Sequence, residues 1–217
     1  MMLIRTPGVY RPQADTRLLA RAYTDARIPP HSRVVDVGTG TGALAIEAAR
    51  HSRSVTAVDI SRAALASAWL NCRLHGVNVE LVHGDFRKAL HGRTFDVMVS
   101  NPPYVPSRSN NPPRGAARAW DAGIDGRSVI DSLCELAPEM LSDTGTLLMV
   151  QSALSGIDNT LTRLRAAGLK AAAVAQATIP FGPILRRRAA WLTDCERIQP
   201  GQCDEELVII RADRPRQ

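Results

Sequence analysis

RVVDVGTGTG, residues Arg33–Gly42, carries a β-branched run straight into a glycine loop. Val34, Val35 and Val37 lack polar alternation, the pattern of a strand covered on both faces. Glycines at 38, 40 and 42 let the backbone turn tightly and let a ligand come close. ALAIEAARH (Ala43–His51) then reads as a helix.

The same alternation continues along the chain. SVTAVDI (Ser54–Ile60) reads as a second strand, Arg62–His75 as a helix and VELVHGD (Val79–Asp85) as a third strand. FDVMVSN (Phe95–Asn101) is a fourth, followed by a helix over Ser128–Leu141 and a fifth strand, Gly145–Ser152. A helix over Gly156–Ala167, a sixth strand over Lys170–Pro180 and a seventh over Glu205–Asp213 complete the series. Upstream, Asp15–Arg27 reads as a helix with Leu18, Leu19 and Ala22 on one face, and Ile28–Ser32 as a turn. Strands alternating with helices predict an α/β fold, an open and mostly parallel sheet with helices on both faces. Ligands in such sheets bind at the carboxyl ends of the strands.

Chemistry-bearing residues sit at those ends. Asp36 precedes the glycine loop and suits a cationic amino-acid group. The loop lacks the Lys-Ser or Lys-Thr of a P-loop and the spacing of a dinucleotide fingerprint. Asp59 ends strand two, where an acid can hold both hydroxyls of a ribose. A helix-cap reading of Asp59 competes, and the glycine loop upstream favours the ribose. Asp85 and Phe86 end strand three, where the acid can accept from an adenine amino group and the ring can pack on the base.

Strand four ends in VSNPPY (Val99–Tyr104). An amide or aromatic amine is a poor nucleophile because its nitrogen lone pair is delocalised. The side-chain oxygen of Asn101 and the carbonyl of Pro102 can accept both of its N–H groups and steer the lone pair toward a methyl donor. Paired prolines stiffen the turn and donate no backbone hydrogen bond, and the Tyr104 ring can stack on the planar group. This is catalysis mainly by positioning.

Bulk composition sets the outer bounds. The 217 residues suit one domain, with 1–30 as an N-terminal segment and helix and 181–203 as an insertion between the last two strands. The net charge of +6 suits an acidic partner, nucleic acid included, or simply an Arg-rich soluble protein. Cys72, Cys134, Cys195 and Cys203 show no C-x-x-C pairing, and the five histidines are scattered, so no metal site or disulfide framework is expected. The N-terminus has too short an apolar run for a signal peptide, and no stretch approaches the ~20 apolar residues of a membrane span. The expected location is the cytoplasm.

DVGTGTGALAIEAA and VSNPPYVP, with VYRPQADTRLL (Val9–Leu19) and AWDAGIDGRSVID (Ala119–Asp131), resemble the HemK family of S-adenosylmethionine-dependent protein glutamine methyltransferases. The closer resemblance is to its short members, which lack the helical N-terminal domain, and it covers about Val9 to Leu169. It implies a Rossmann-like seven-stranded sheet with the last strand antiparallel, and S-adenosyl-L-methionine as cofactor. By the same resemblance Asp15 and Thr16 border the methionine end of the cofactor. Asp36 and Gly38 contact the methionine moiety, with Gly40 under it. Asp59 holds the ribose, Asp85 and Phe86 frame the adenine, and Asn101, Pro102 and Tyr104 hold the target amide. The implied substrate is a glutamine in a Gly-Gly-Gln loop of a translation release factor. Short relatives often work with a small activator subunit.

The chain departs from the short relatives at Arg11 and Ala14, where acidic residues are common, and in the length of FGPILRRRAAWLTDCERIQPGQC (Phe181–Cys203). A loop so long is expected to hold a helix, over Ile184–Leu192. Arg186, Arg187 and Arg188 beside Trp191 read either as a clamp for a phosphate or acidic peptide, or as a solvated basic face over a packed ring. Ser107–Arg118 reads as a flap over the substrate. NPPY serves adenine as well as an amide, so DNA, RNA or a small-molecule amine remains an alternative acceptor. A non-catalytic cofactor-binding protein is a further one, against which the intact motif argues.

Overall fold

The computed structural model describes residues 1–215. Seven strands form one sheet in the order β3-β2-β1-β4-β5-β7-β6. The strands are β1 (Arg33–Val37), β2 (Ser54–Asp59), β3 (Glu80–His83), β4 (Phe95–Ser100), β5 (Leu141–Ser152), β6 (Lys170–Pro180) and β7 (Asp204–Asp213). Pairings β1–β2, β2–β3, β1–β4 and β4–β5 are parallel, and β7 runs antiparallel between β5 and β6. The chain therefore lays strands to one side of β1, then returns to lay the rest on the other side. That reversal opens a crevice beyond the carboxyl ends of β1 and β4.

The helices are α1 (Ala14–Asp25), α2 (Ala43–His51), α3 (Arg62–Leu74), α4 (Phe86–Ala89), α5 (Ser128–Met140), α6 (Ile157–Ala166) and α7 (Pro183–Asp194). Right-handed crossovers place α2 and α3 on one face, because the chain advances one way there. They place α5 on the other, because it advances the opposite way. α1 adjoins α2 in the first layer, and α6 packs on α5 in the second. The core between them is aliphatic: Val34, Val35, Met98, Leu147, Leu148 and Ile209 are almost wholly excluded from solvent.

β5 begins at Leu141, four residues before the expected start, because Leu141 pairs with Phe95 ahead of an irregular step to Val97 and Thr146. The one-turn α4 was not expected; Asp85 nucleates it by capping Arg87 N. The expected helix in the 181–203 stretch exists and is longer, starting at Pro183, whose fixed φ suits a first helical position. It carries its own small core of Phe181, Leu185, Leu192 and Ile198. Among the described residues no helix is long and apolar enough to cross a membrane, and no cluster of ligating side chains could hold a metal.

Candidate active site

A cleft of ≈ 990 Å³ lies at the carboxyl ends of β1, β2 and β4. Its floor is the glycine loop. Gly38 N and Thr39 N bond to Val58 O at 2.9 and 3.2 Å, tying the loop to β2. Gly38 and Gly40 have φ of +74° and +55°, and a Cβ on either would enter open space. A side chain there would be strained and would fill the room a ligand needs.

Asp36 lies buried behind the loop. Its Oδ2 accepts from Thr39 Oγ1 at 2.6 Å and Ala45 N at 3.0 Å, whereas Oδ1 has no donor. Burial pushes its pKa up to about 7, against the lowering effect of those two bonds. Asp59 takes Gly40 N at 2.9 Å and Ser61 N at 2.8 Å, one on each oxygen, and each oxygen keeps capacity for a second donor. Burial raises its pKa as well. The cap of α3 is Ser61, whose hydroxyl accepts from Ala64 N at 3.3 Å, so Asp59 is not needed as a cap. Asp85 and Phe86 line the same cleft. The Arg87 guanidinium pairs with Asp85 and holds its carboxyl below the usual range.

At the other end of the cleft, Asn101, Pro102, Pro103 and Tyr104 form the wall. A hydrogen-bond chain from α1 sets their orientation. Asp15 Oδ1 accepts from Thr16 N at 2.6 Å and from Thr16 Oγ1 at 3.2 Å. With its one hydroxyl hydrogen committed there, Thr16 can only accept from Asn101, whose Nδ2 lies 3.1 Å away. Asn101 therefore turns its nitrogen inward and its Oδ1 out. No donor among the described residues bonds to that oxygen. Asp15 Oδ2 accepts from Tyr104 OH at 3.1 Å and Tyr10 OH at 2.7 Å. Burial and the nearby Asp15 raise the pKa of Tyr104, so the phenol stays a donor.

The backbone after NPPY is equally constrained. Ser155 Oγ donates to Tyr104 O at 2.8 Å. Val105 N donates to Trp120 O at 2.8 Å and Ala122 N to Val105 O at 3.1 Å. The stretch read as a flap contributes Asn110, Asn111, Pro112, Pro113, Gly115 and Arg118 to the cleft. It includes a 3-10 turn over Gly115–Ala119.

The cleft thus brings together Thr16, Gly38, Gly40, Asp59, Asp85, Phe86, Asn101, Pro102 and Tyr104, with Asp36 just beneath. Sequence reasoning assigned no role to Tyr10, Asn71 or Ser155. Asn71 is fully buried, and its amide bonds Thr41 O and both backbone groups of Ile4, strapping the N-terminus over α3. Tyr10 stood inside a motif already singled out; Asn71 and Ser155 carry no local signal.

The family described as Methyltransferase small domain matches residues 1–176. Over 181 residues the chain is 30% identical to a Methanocaldococcus jannaschii protein provisionally named a protein N5-glutamine methyltransferase, covering 82% of this chain and 90% of that one. It is 37% identical over 152 residues to the release factor glutamine methyltransferase of Neisseria gonorrhoeae, covering 66% of this chain and 55% of that one. So the chain spans about half the length of this bacterial relative. The E. cuniculi Mtq2–Trm112 complex, described as responsible for methylation of the eRF1 translation termination factor, superposes with a TM-score of 0.64 at 23% identity, covering 96% of this chain and 99% of that one. A T. thermophilus 16S rRNA N2 G1207 methyltransferase, solved with AdoMet and guanosine, gives 0.62 at 17%, covering 97% and 46%. At such identities these two structures speak to the fold alone.

Proposed function

The chain belongs to the methyltransferase small domain family, and from that premise we propose that it methylates the side-chain amide nitrogen of a protein glutamine, using S-adenosyl-L-methionine. The observation that carries this reading is the outward Oδ1 of Asn101, fixed by Thr16 and Asp15 at the tip of β4. That oxygen accepts one N–H of a planar amide, and the Pro102 carbonyl takes the other. The Tyr104 ring, anchored through its hydroxyl, packs against the amide plane.

Both N–H groups held, the amide nitrogen is presented in one orientation and its planar conjugation is the barrier left to overcome. When bound, the cofactor supplies an electrophilic methyl group. Asp59 would hold its ribose and Phe86 its adenine, while Asp36, once deprotonated, would supply negative charge toward its cationic amino-acid end. As the nitrogen gains a methyl group it loses one proton, which the open cleft can pass to water. Positioning of this kind is worth several kcal/mol of barrier.

The named substrates of the relatives, release factors, support a protein acceptor. The E. cuniculi neighbour is solved with a second chain, and this fold leaves Ile60, Trp69 and Leu74 more than half exposed on and beside α3. A small activator subunit covering them fits the same proposal.

The test offers purified protein and methyl-labelled S-adenosylmethionine to release factors, ribosomal proteins, RNA and DNA in parallel, with Asn101→Ala alongside. Label on a glutamine amide that falls at least about a hundredfold in Asn101→Ala, at unchanged cofactor affinity, is the expected result. Label on nucleic acid alone, or equal turnover in both proteins, overturns it.

A further inference from the structure

We infer that Arg188, on the α7 insertion, is a positioning residue for the acceptor side of the cleft. The inference rests on the acceptor reading of NPPY. Residues 105–107, on leaving NPPY, do not join the main sheet. They meet residues 120–123 through three backbone bonds, of which Ser107 N to Gly123 O measures 2.8 Å, around a lone Val105–Asp121 bridge. So short a pairing is marginal in water by itself.

Arg188 ties the two halves together. Its Nη1 donates to the Pro106 carbonyl at 2.7 Å and lies 2.7 Å from Asp121 Oδ1, an ion pair whose angle makes no hydrogen bond. Both side chains are largely buried, at 22% and 17% exposure. One nitrogen thus gives the carbonyl a hydrogen bond and the carboxylate a counter-charge. Without it, a buried carboxylate oxygen loses its counter-charge.

α7 is itself held firmly. Its apolar cluster takes in Val105 and Leu154, and Phe181 N bonds to Cys203 O at 2.8 Å across the neck of the insertion. The flap, which lines the cleft, lies between the two points Arg188 joins. Fixing both ends of a loop reduces the conformations open to it. The neighbouring Arg186 and Arg187 face solvent and have no ion-pair partner among the described residues. Of the basic triplet, only Arg188 therefore turns inward.

The test compares Arg188→Ala, Arg188→Lys and the surface control Arg187→Ala. Backbone hydrogen exchange over 105–123 should accelerate about tenfold or more in Arg188→Ala, with exchange over 33–42 unchanged. S-adenosylmethionine affinity should stay within about twofold, while kcat/KM for the acceptor falls about tenfold. Arg188→Lys should recover part of both losses, and Arg187→Ala should match wild type. Should Arg188→Ala fold poorly, Asp121→Asn should show the same pattern more weakly. Unchanged exchange at 105–123, or faster exchange with unchanged acceptor kinetics, overturns the inference. Exchange that accelerates in a protein whose wild type methylates no glutamine leaves the clamp standing and removes the glutamine reading instead.

Discussion

Asp36 has one oxygen doubly satisfied and the other with none, in a place water does not reach. Burial lifts its pKa from 3.8 to about 7, so between those values the folded chain holds a proton that the unfolded chain releases. Stability without ligand therefore falls as pH rises through that window. Glu205, buried and raised to about 7, acts in the same direction. Asp36→Asn removes one of the two contributions. Thermal unfolding at about pH 5.5 and about pH 8 should show a smaller drop in Tm for the variant than for wild type. An equal drop in both would show that Asp36 is ionised throughout.

Thr16 is the other decisive single residue. Thr16→Val keeps the shape of the side chain and removes the oxygen that orients Asn101. The Asn101 amide is then free to turn over, and its outward face is an acceptor only part of the time. We expect kcat to fall about tenfold with cofactor affinity within about threefold, and Thr16→Ser to restore kcat, measured by steady-state kinetics and calorimetry.

At the scale of elements, the turn into α5 comes within touching distance of the NPPY exit. Gly126 has φ of +73°, and a Cβ there would stand 2.4 Å from Tyr104 O and 3.1 Å from Ser155 Oγ. Alanine would both strain the backbone and push apart the carbonyl and the hydroxyl that hold Tyr104 in place. Gly126→Ala should cost about 2 kcal/mol of stability, read by denaturant unfolding, and reduce turnover at least about tenfold while the glycine-loop end still binds cofactor. The loss belongs to a junction of α5, the 3-10 turn Ala153–Ser155 and the β4 exit, not to any of these alone.

For the whole molecule, cofactor binding should add stability by mass action. Ligand at about a hundred times its Kd adds about 2.7 kcal/mol, several degrees of Tm for a chain of this size, and differential scanning fluorimetry should show it. The alternation of strands and helices was legible because β1 to β4 are short apolar runs bounded by Gly, Asn and Asp. That Asp59, Asp85 and Asn101 line the cleft was legible for the same reason, since such a sheet opens its crevice at the carboxyl ends of its strands. Legibility ended where contacts span the chain. Tyr104 meets Asp15 across 89 residues, Asn101 meets Thr16 across 85, and Arg188 meets Pro106 across 82. No window of sequence contains such pairs, so Arg188 reads as one of three equivalent cations until α7 is docked. The early start of β5 was hidden likewise, since it depends on pairing with Phe95.

The place of β7 between β5 and β6 has a bearing on how a growing chain acquires its parts. During synthesis β1 to β4 and the glycine loop leave the ribosome first, and nothing downstream is needed to pair β1 with β2 or β4. β6 has no bonded neighbour except β7, so it waits unplaced until residues 204–213 emerge. Ser155 and Arg188, which brace NPPY, both follow β5 and so emerge after β1 to β4. The glycine-loop side of the cleft is thus made before the contacts that brace its NPPY side.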